Sequence, residues 1–127
     1  MKNLTLRETV DNHRVLWNWL TDETLKRKRK VQKKEYFVEH GVEECDFPRN
    51  LCYCCEYNIS NISKGQECSS CPIDWKGKCY YTESLYRVWY NETDYIKAAK
   101  LAREIANLPL KPKFTEQYEN ECREKKL

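Results

Sequence analysis

Glycine and histidine are scarce in this chain, and long apolar runs are missing. There are three glycines and two histidines in 127 residues. With only Gly41, Gly65 and Gly77, no glycine-rich loop is available to cradle phosphates. His13 and His40 leave no histidine-rich nuclease pattern, and no Ser-His-Asp spacing is readable. The expectation is therefore a protein that is not an enzyme. No stretch approaches the ~18 apolar residues that span a bilayer. The first eight residues, Met1 to Glu8, contain no apolar segment of the kind a secretory signal needs. A cytoplasmic protein with no membrane partner is expected. Aliphatic side chains thin out in the middle third, and such a segment needs a metal or disulfides to hold it.

Cysteine supplies what the aliphatics do not. Seven of the eight cysteines fall between residues 42 and 83. Four are spaced Cys52-x₂-Cys55-x₁₂-Cys68-x₂-Cys71. Each Cys-x-x-Cys makes a tight turn that aims two sulfurs at a common centre about 2.3 Å away, and two such turns complete a tetrahedral zinc shell. The linker is just shorter than the usual ~15–20 residues. Cys52, Cys55, Cys68 and Cys71 are the expected metal ligands and zinc the expected cofactor. Cys54, Cys79 and Cys45 each stand close enough in sequence to replace one of them. A cytosolic setting favours metal over disulfides. Four cysteine ligands leave no open position for water or substrate, so the site is expected to be structural. A dithiol redox role wants a βαβ frame around the pair, and none is visible.

Helix brackets the cysteine segment. Val10, His13, Trp17, Leu20, Thr24, Val31 and Val38 recur at three-, four- and seven-residue steps and form a narrow apolar stripe. One long helix from about Leu6 to His40, kinked at Thr21-Asp22, is expected; the alternative is two helices, with Thr21-Asp22 as the break and the N-cap of the second. Trp17 and Trp19 point to nearly opposite sides of it. After residue 83, Ser84 can cap a short helix. Ala98, Leu101, Ala102 and Ile105 make a clear second stripe that Pro109 ends. The tail beyond Lys113 is charged, and Thr115 is a candidate start for a terminal helix. Mean hydropathy is −0.93, so the core is thin, and four Trp and nine Tyr must supply much of it. The fold expected is mainly α: a single domain over 1–127, helical over 1–41, zinc-binding knuckles over 42–83, and helical with a charged tail over 84–127. Little strand is expected.

Charge is divided along the chain. Residues 1–40 carry ten basic against six acidic side chains, and residues 41–80 carry four against six. Lys26 to Lys34 hold seven basic residues in nine. On a single helix Lys26, Lys30, Lys33 and Lys34 share roughly one face. That stripe can meet phosphates or an acidic protein surface, although charge runs are more often solvated faces. The acidic cysteine segment is poorly placed to grip phosphates. The candidate partner-binding residues are Trp19, Lys26, Arg27, Lys30, Lys33, Lys34 and Trp89. Trp17, Tyr86 and Tyr90 are further aromatic anchors of the kind that dominate interfaces.

Four stretches carry a family resemblance: Leu16-Trp-Asn-Trp-Leu-Thr-Asp-Glu-Thr-Leu25, Leu51-Cys-Tyr-Cys-Cys-Glu-Tyr57, Cys68-Ser-Ser-Cys-Pro-Ile-Asp-Trp75, and the run from Ala98 to Pro109. Together the chain resembles small cysteine-rich, zinc-ribbon-like proteins encoded by bacteriophages of Gram-positive bacteria. The resemblance implies a phage origin and a zinc site, and no activity. Such accessory proteins generally bind a host or phage macromolecule, or neutralise a host defence. The resulting expectation is a non-enzymatic, zinc-stabilised regulator or inhibitor of a host protein. The alternatives are a nucleic-acid-binding factor using residues 26–34 and a protein that sequesters a nucleotide signal.

Overall fold

The computed structural model describes residues 4–48, 51–54, 57, 71–75 and 84–124. Within them the chain is mainly helical. The helices are α1 (Leu6–Arg27), α2 (Lys33–Glu39), α3 (Leu85–Asn91), α4 (Tyr95–Ala106) and α5 (Pro112–Glu124), with a 3-10 turn at Glu44–Asp46. Among the described residues, the extended pairing is a single antiparallel bridge between Ile73 and Leu110.

α1 starts at a reciprocal cap. The Thr5 hydroxyl accepts from the Glu8 amide at 3.1 Å, and the Glu8 carboxylate accepts from the Thr5 amide at 3.0 Å. Two orphan donors of the first turn are thereby satisfied. Since it runs on to Arg27, the helix neither breaks nor is capped at Thr21. That side chain is buried, and its hydroxyl donates back to the Trp17 carbonyl at 2.9 Å. The break comes seven residues later, where Lys28 adopts a left-handed conformation with φ 56°. Thr24 then accepts from the Val31 amide at 3.1 Å and turns the chain back. Arg27 clamps the corner by pairing with Glu23 one turn before it and with Glu39 on α2. The expected single helix through His40 is thus two helices. The stripe does not survive the corner whole: Val31 is buried, but Val38, expected on the same stripe, is exposed.

α1 packs chiefly on α4, and α3 lies against α4. The reason is visible in side-chain size. α4 presents Ala98, Ala102 and Ala106 with Ile105, all buried. Methyl groups let the α1 backbone approach and leave space for Leu16, Trp17 and Leu20. Trp17 stands edge-on to Trp89 at 4.8 Å between centroids, and Trp89 stacks on Tyr86 at 6.1 Å. Offset and edge-to-face pairs of this kind add to the burial of the rings. Trp19 faces the other way, edge-on to Tyr36 at 5.3 Å and to His40 at 5.6 Å. The two tryptophans of α1 therefore staple different partners to one helix.

α5 closes the far end. Tyr118 donates to Asp11 at 2.7 Å, and Glu121 accepts from the Arg7 amide at 3.0 Å. Leu6, Val10, Tyr57, Phe114 and Tyr118 make a small second cluster beneath it. Through Glu124 the charged tail is helical, starting at Pro112 ahead of the expected Thr115, and one stripe of it meets the start of α1.

Replacing Ala102 with Leu inserts three carbons into the closest part of this seam. A loss of about 1–3 kcal/mol is expected, read as a lower urea midpoint by circular dichroism. An unchanged midpoint would show that the α1–α4 approach does not depend on the alanines.

Candidate metal centre

The cysteine segment docks where α1 and α4 meet. Cys52 follows Leu51, whose φ is 51°, and Cys54 is fully buried. Cys71 reaches the same place from the other end of the segment. Its position is fixed by backbone bonds on its C-terminal side: Lys111 donates to the Pro72 carbonyl at 2.8 Å, and Asp74 donates to the Pro109 carbonyl at 2.9 Å. Those two bonds tie Pro72–Asp74 to the α4–α5 link and bring Cys71 under α1.

Cys54 is the hub. It is within hydrogen-bonding reach of both Cys52 and Cys71, and its Sγ lies 3.6 Å from His13 Nδ1. Burial, with smaller contributions from the neighbouring thiols, pushes the Cys54 thiol up. The Cys71 thiol is pulled down, first by its hydrogen bond with Cys54. The three sulfurs are therefore inequivalent, with Cys54, the most deeply buried, acting as donor. Among the described residues, Cys45, Cys52, Cys54, Cys71 and Cys122 are not in disulfides. Cys45 is exposed in the 3-10 turn, and Cys122 sits half-buried on α5. Neither joins the cluster.

His13 completes the neighbourhood. It is buried on α1, edge-on to Trp75 at 5.9 Å. Its Nε2 lies 3.3 Å from the Ile105 carbonyl. A carbonyl only accepts, so Nε2 carries the proton. Burial lowers the pKa of the ring, outweighing the opposing pull of Cys52 and of the Ile105 carbonyl. The imidazole is neutral, and its Nδ1 lone pair points at the Cys54 sulfur.

Of the expected ligands, Cys52 and Cys71 are brought together. Cys55 and Cys68 lie outside the described residues, as does the rival Cys79. Among the described residues, no group of three or more Cys, His, Asp or Glu side chains is placed to hold a metal ion; Cys52, Cys71 and His13 each meet Cys54 as a pair. The sequence assigned His13 to the apolar stripe and passed over it as a ligand. Its only signal was a polar ring at a stripe position that must find a partner when buried.

The expected partner-binding residues are scattered by the corner after α1. Lys26 and Lys34 are exposed, on different helices. Arg27 is held by Glu23 and Glu39, and Arg29 by Glu35. Lys30 donates to the carbonyls of Trp89, Tyr90 and Glu92, the last two at 3.0 Å, and stands 4.3 Å above the Trp89 ring. Lys33 is largely buried, 4.5 Å from the Tyr86 ring. Trp89 is buried in the core, and Trp19 is half-buried against α2. The basic run is in large part a structural clasp.

The chain matches no protein-family model, no curated protein and no solved structure.

Lys30 caps the C-terminal end of α3 with a charge. Lys30→Ala is expected to cost roughly 1 kcal/mol, discounted for its partial exposure. Lys26→Ala and Lys34→Ala should each stay within about 0.5 kcal/mol. Urea denaturation of the three variants separates clasp from solvated surface; equal effects would contradict the division.

Proposed function

We propose that this chain is a non-enzymatic, zinc-stabilised binding protein of bacteriophage origin. It acts in the host cytoplasm as a regulator or inhibitor of a host protein or defence system. The observation that carries the zinc part is the meeting of Cys52, Cys54 and Cys71 beneath α1. A metal held there joins the two ends of the cysteine segment to the helices. It lies in the core with no open cleft required, as suits a structural ion whose binding free energy becomes folding free energy.

The binding part draws support from the helical surface. The α3–α4 corner exposes Val88, Tyr90 and Ile96, and Tyr90 is the one expected aromatic anchor that stays more than half exposed. Among the described residues no helix is long and apolar enough to cross a membrane. The nucleic-acid alternative retains few unengaged charges in residues 26–34, since Arg27, Arg29, Lys30 and Lys33 all contact other groups. The nucleotide-sequestering alternative draws no support from these contacts.

Native mass spectrometry of protein purified without added metal tests the central claim. One zinc per chain, lost on acid unfolding, is expected. A metal-free mass lowered by two hydrogens per bridge would replace zinc with disulfides and overturn the reading. Binding to random DNA or RNA that falls steeply with salt would favour the nucleic-acid alternative.

A further inference from the structure

The four groups that meet around Cys54 come from three separate stretches of the chain. His13 comes from α1, Cys52 and Cys54 from one end of the cysteine segment, and Cys71 from the other. In a tetrahedral zinc centre the sulfurs stand about 2.3 Å from the ion and an imidazole nitrogen about 2.0–2.1 Å. One such sulfur and one such nitrogen are then about 3.5 Å apart, from tetrahedral geometry at those bond lengths. The observed Cys54 Sγ to His13 Nδ1 separation is 3.6 Å.

The orientation of the imidazole points the same way. Metal-binding histidines almost always give their second ring N–H to a carboxylate, a backbone carbonyl or water, which fixes tautomer and ring plane. His13 has this arrangement through the Ile105 carbonyl at 3.3 Å. Its remaining lone pair faces sulfur in a water-poor core. An apolar residue would fill the same stripe position without needing the Ile105 carbonyl.

We propose that His13 Nδ1 and the thiolates of Cys52, Cys54 and Cys71 form a Cys₃His zinc centre, in place of a shell of four cysteines. The inference rests on the zinc reading above and assigns its ligands. As they stand, no three of these side chains are placed to hold a metal, so closure requires the Cys52 and Cys71 sulfurs to turn from Cys54, and the His13 ring to tilt, toward a common centre. On binding, the three thiol protons leave for solvent, and each sulfur lone pair forms a bond to zinc. The neutral imidazole contributes its Nδ1 pair and loses no proton. The centre carries one net negative charge. Arg14 and Lys33 act on His13, and Lys111 acts on Cys71, with charge of the opposite sign.

The test is zinc K-edge X-ray absorption on the full chain purified with its native metal. Three sulfurs at ~2.3 Å and one nitrogen at ~2.0–2.1 Å are expected, with the outer-shell scattering of an imidazole. His40 is the other histidine and is exposed, packed against Trp19 and Tyr36, so His40→Gln should keep that scattering. Cys55→Ser should keep the same first shell. A first shell of four sulfurs would overturn the proposal while leaving zinc in place. So would loss of the imidazole signal in His40→Gln, or loss of zinc in Cys55→Ser. A protein that carries no zinc at all would fail the underlying reading instead. None of these measurements depends on whether a His13 variant folds.

Discussion

The approach of α1 to the alanine face of α4 is the constraint on which the rest of the structure depends. Helices approach closely only where side chains are small, and Ala98, Ala102 and Ala106 provide that on one side. The bulk is on the other side, in Leu16, Trp17 and Leu20. This asymmetry sets which ring meets which. Trp17 reaches past α4 to Trp89 and Tyr86, and His13, one turn earlier, is left within reach of the Ile105 carbonyl. A looser seam would separate that histidine from its acceptor and strand a polar ring in the core.

Cysteine solves a different problem. The segment between α2 and α3 has few aliphatic residues with which to form a core of its own. Its described parts are held instead by rings, backbone bonds and sulfur: Trp75 against His13, Pro72–Asp74 against the α4–α5 link, and Cys54 among Cys52, Cys71 and His13. These contacts are long-range in sequence. A small domain of this composition can be fixed by a few strong contacts at one junction where a larger one would use area.

Several parts of this were legible in the residues. The stripe of α4, the start of α1 and the divergence of Trp17 from Trp19 follow from helical geometry and capping, which are local. The end of α1 was not legible. Lys28 takes a conformation that favours glycine, and it is held there by Thr24, Arg27 and Glu39, which only the folded corner brings together. Thr21 looked like a cap because threonine often is one; buried against Trp17, it turns its hydroxyl to its own helix. The same limit applies to the site. Spacing pointed to Cys52 and Cys71, but the placement of Cys54 beside them, and of a histidine some forty residues upstream, is a tertiary fact. Lys30 and Trp89 looked like surface anchors because a charge run and an aromatic read as sticky. Their mutual contact satisfies both inside the fold.

The bridge between Ile73 and Leu110 joins two regions that share little else. It ties the backbone two residues beyond Cys71 to the short link from which α5 departs. α5 in turn grips the first turn of α1 through Glu121 and Tyr118. The thiol cluster and the C-terminal helix thus form one mechanical linkage. A force or a partner that lifted α5 would be transmitted through Leu110 to the segment that carries Cys71, so the two ends of the chain and the sulfur junction between them must yield together.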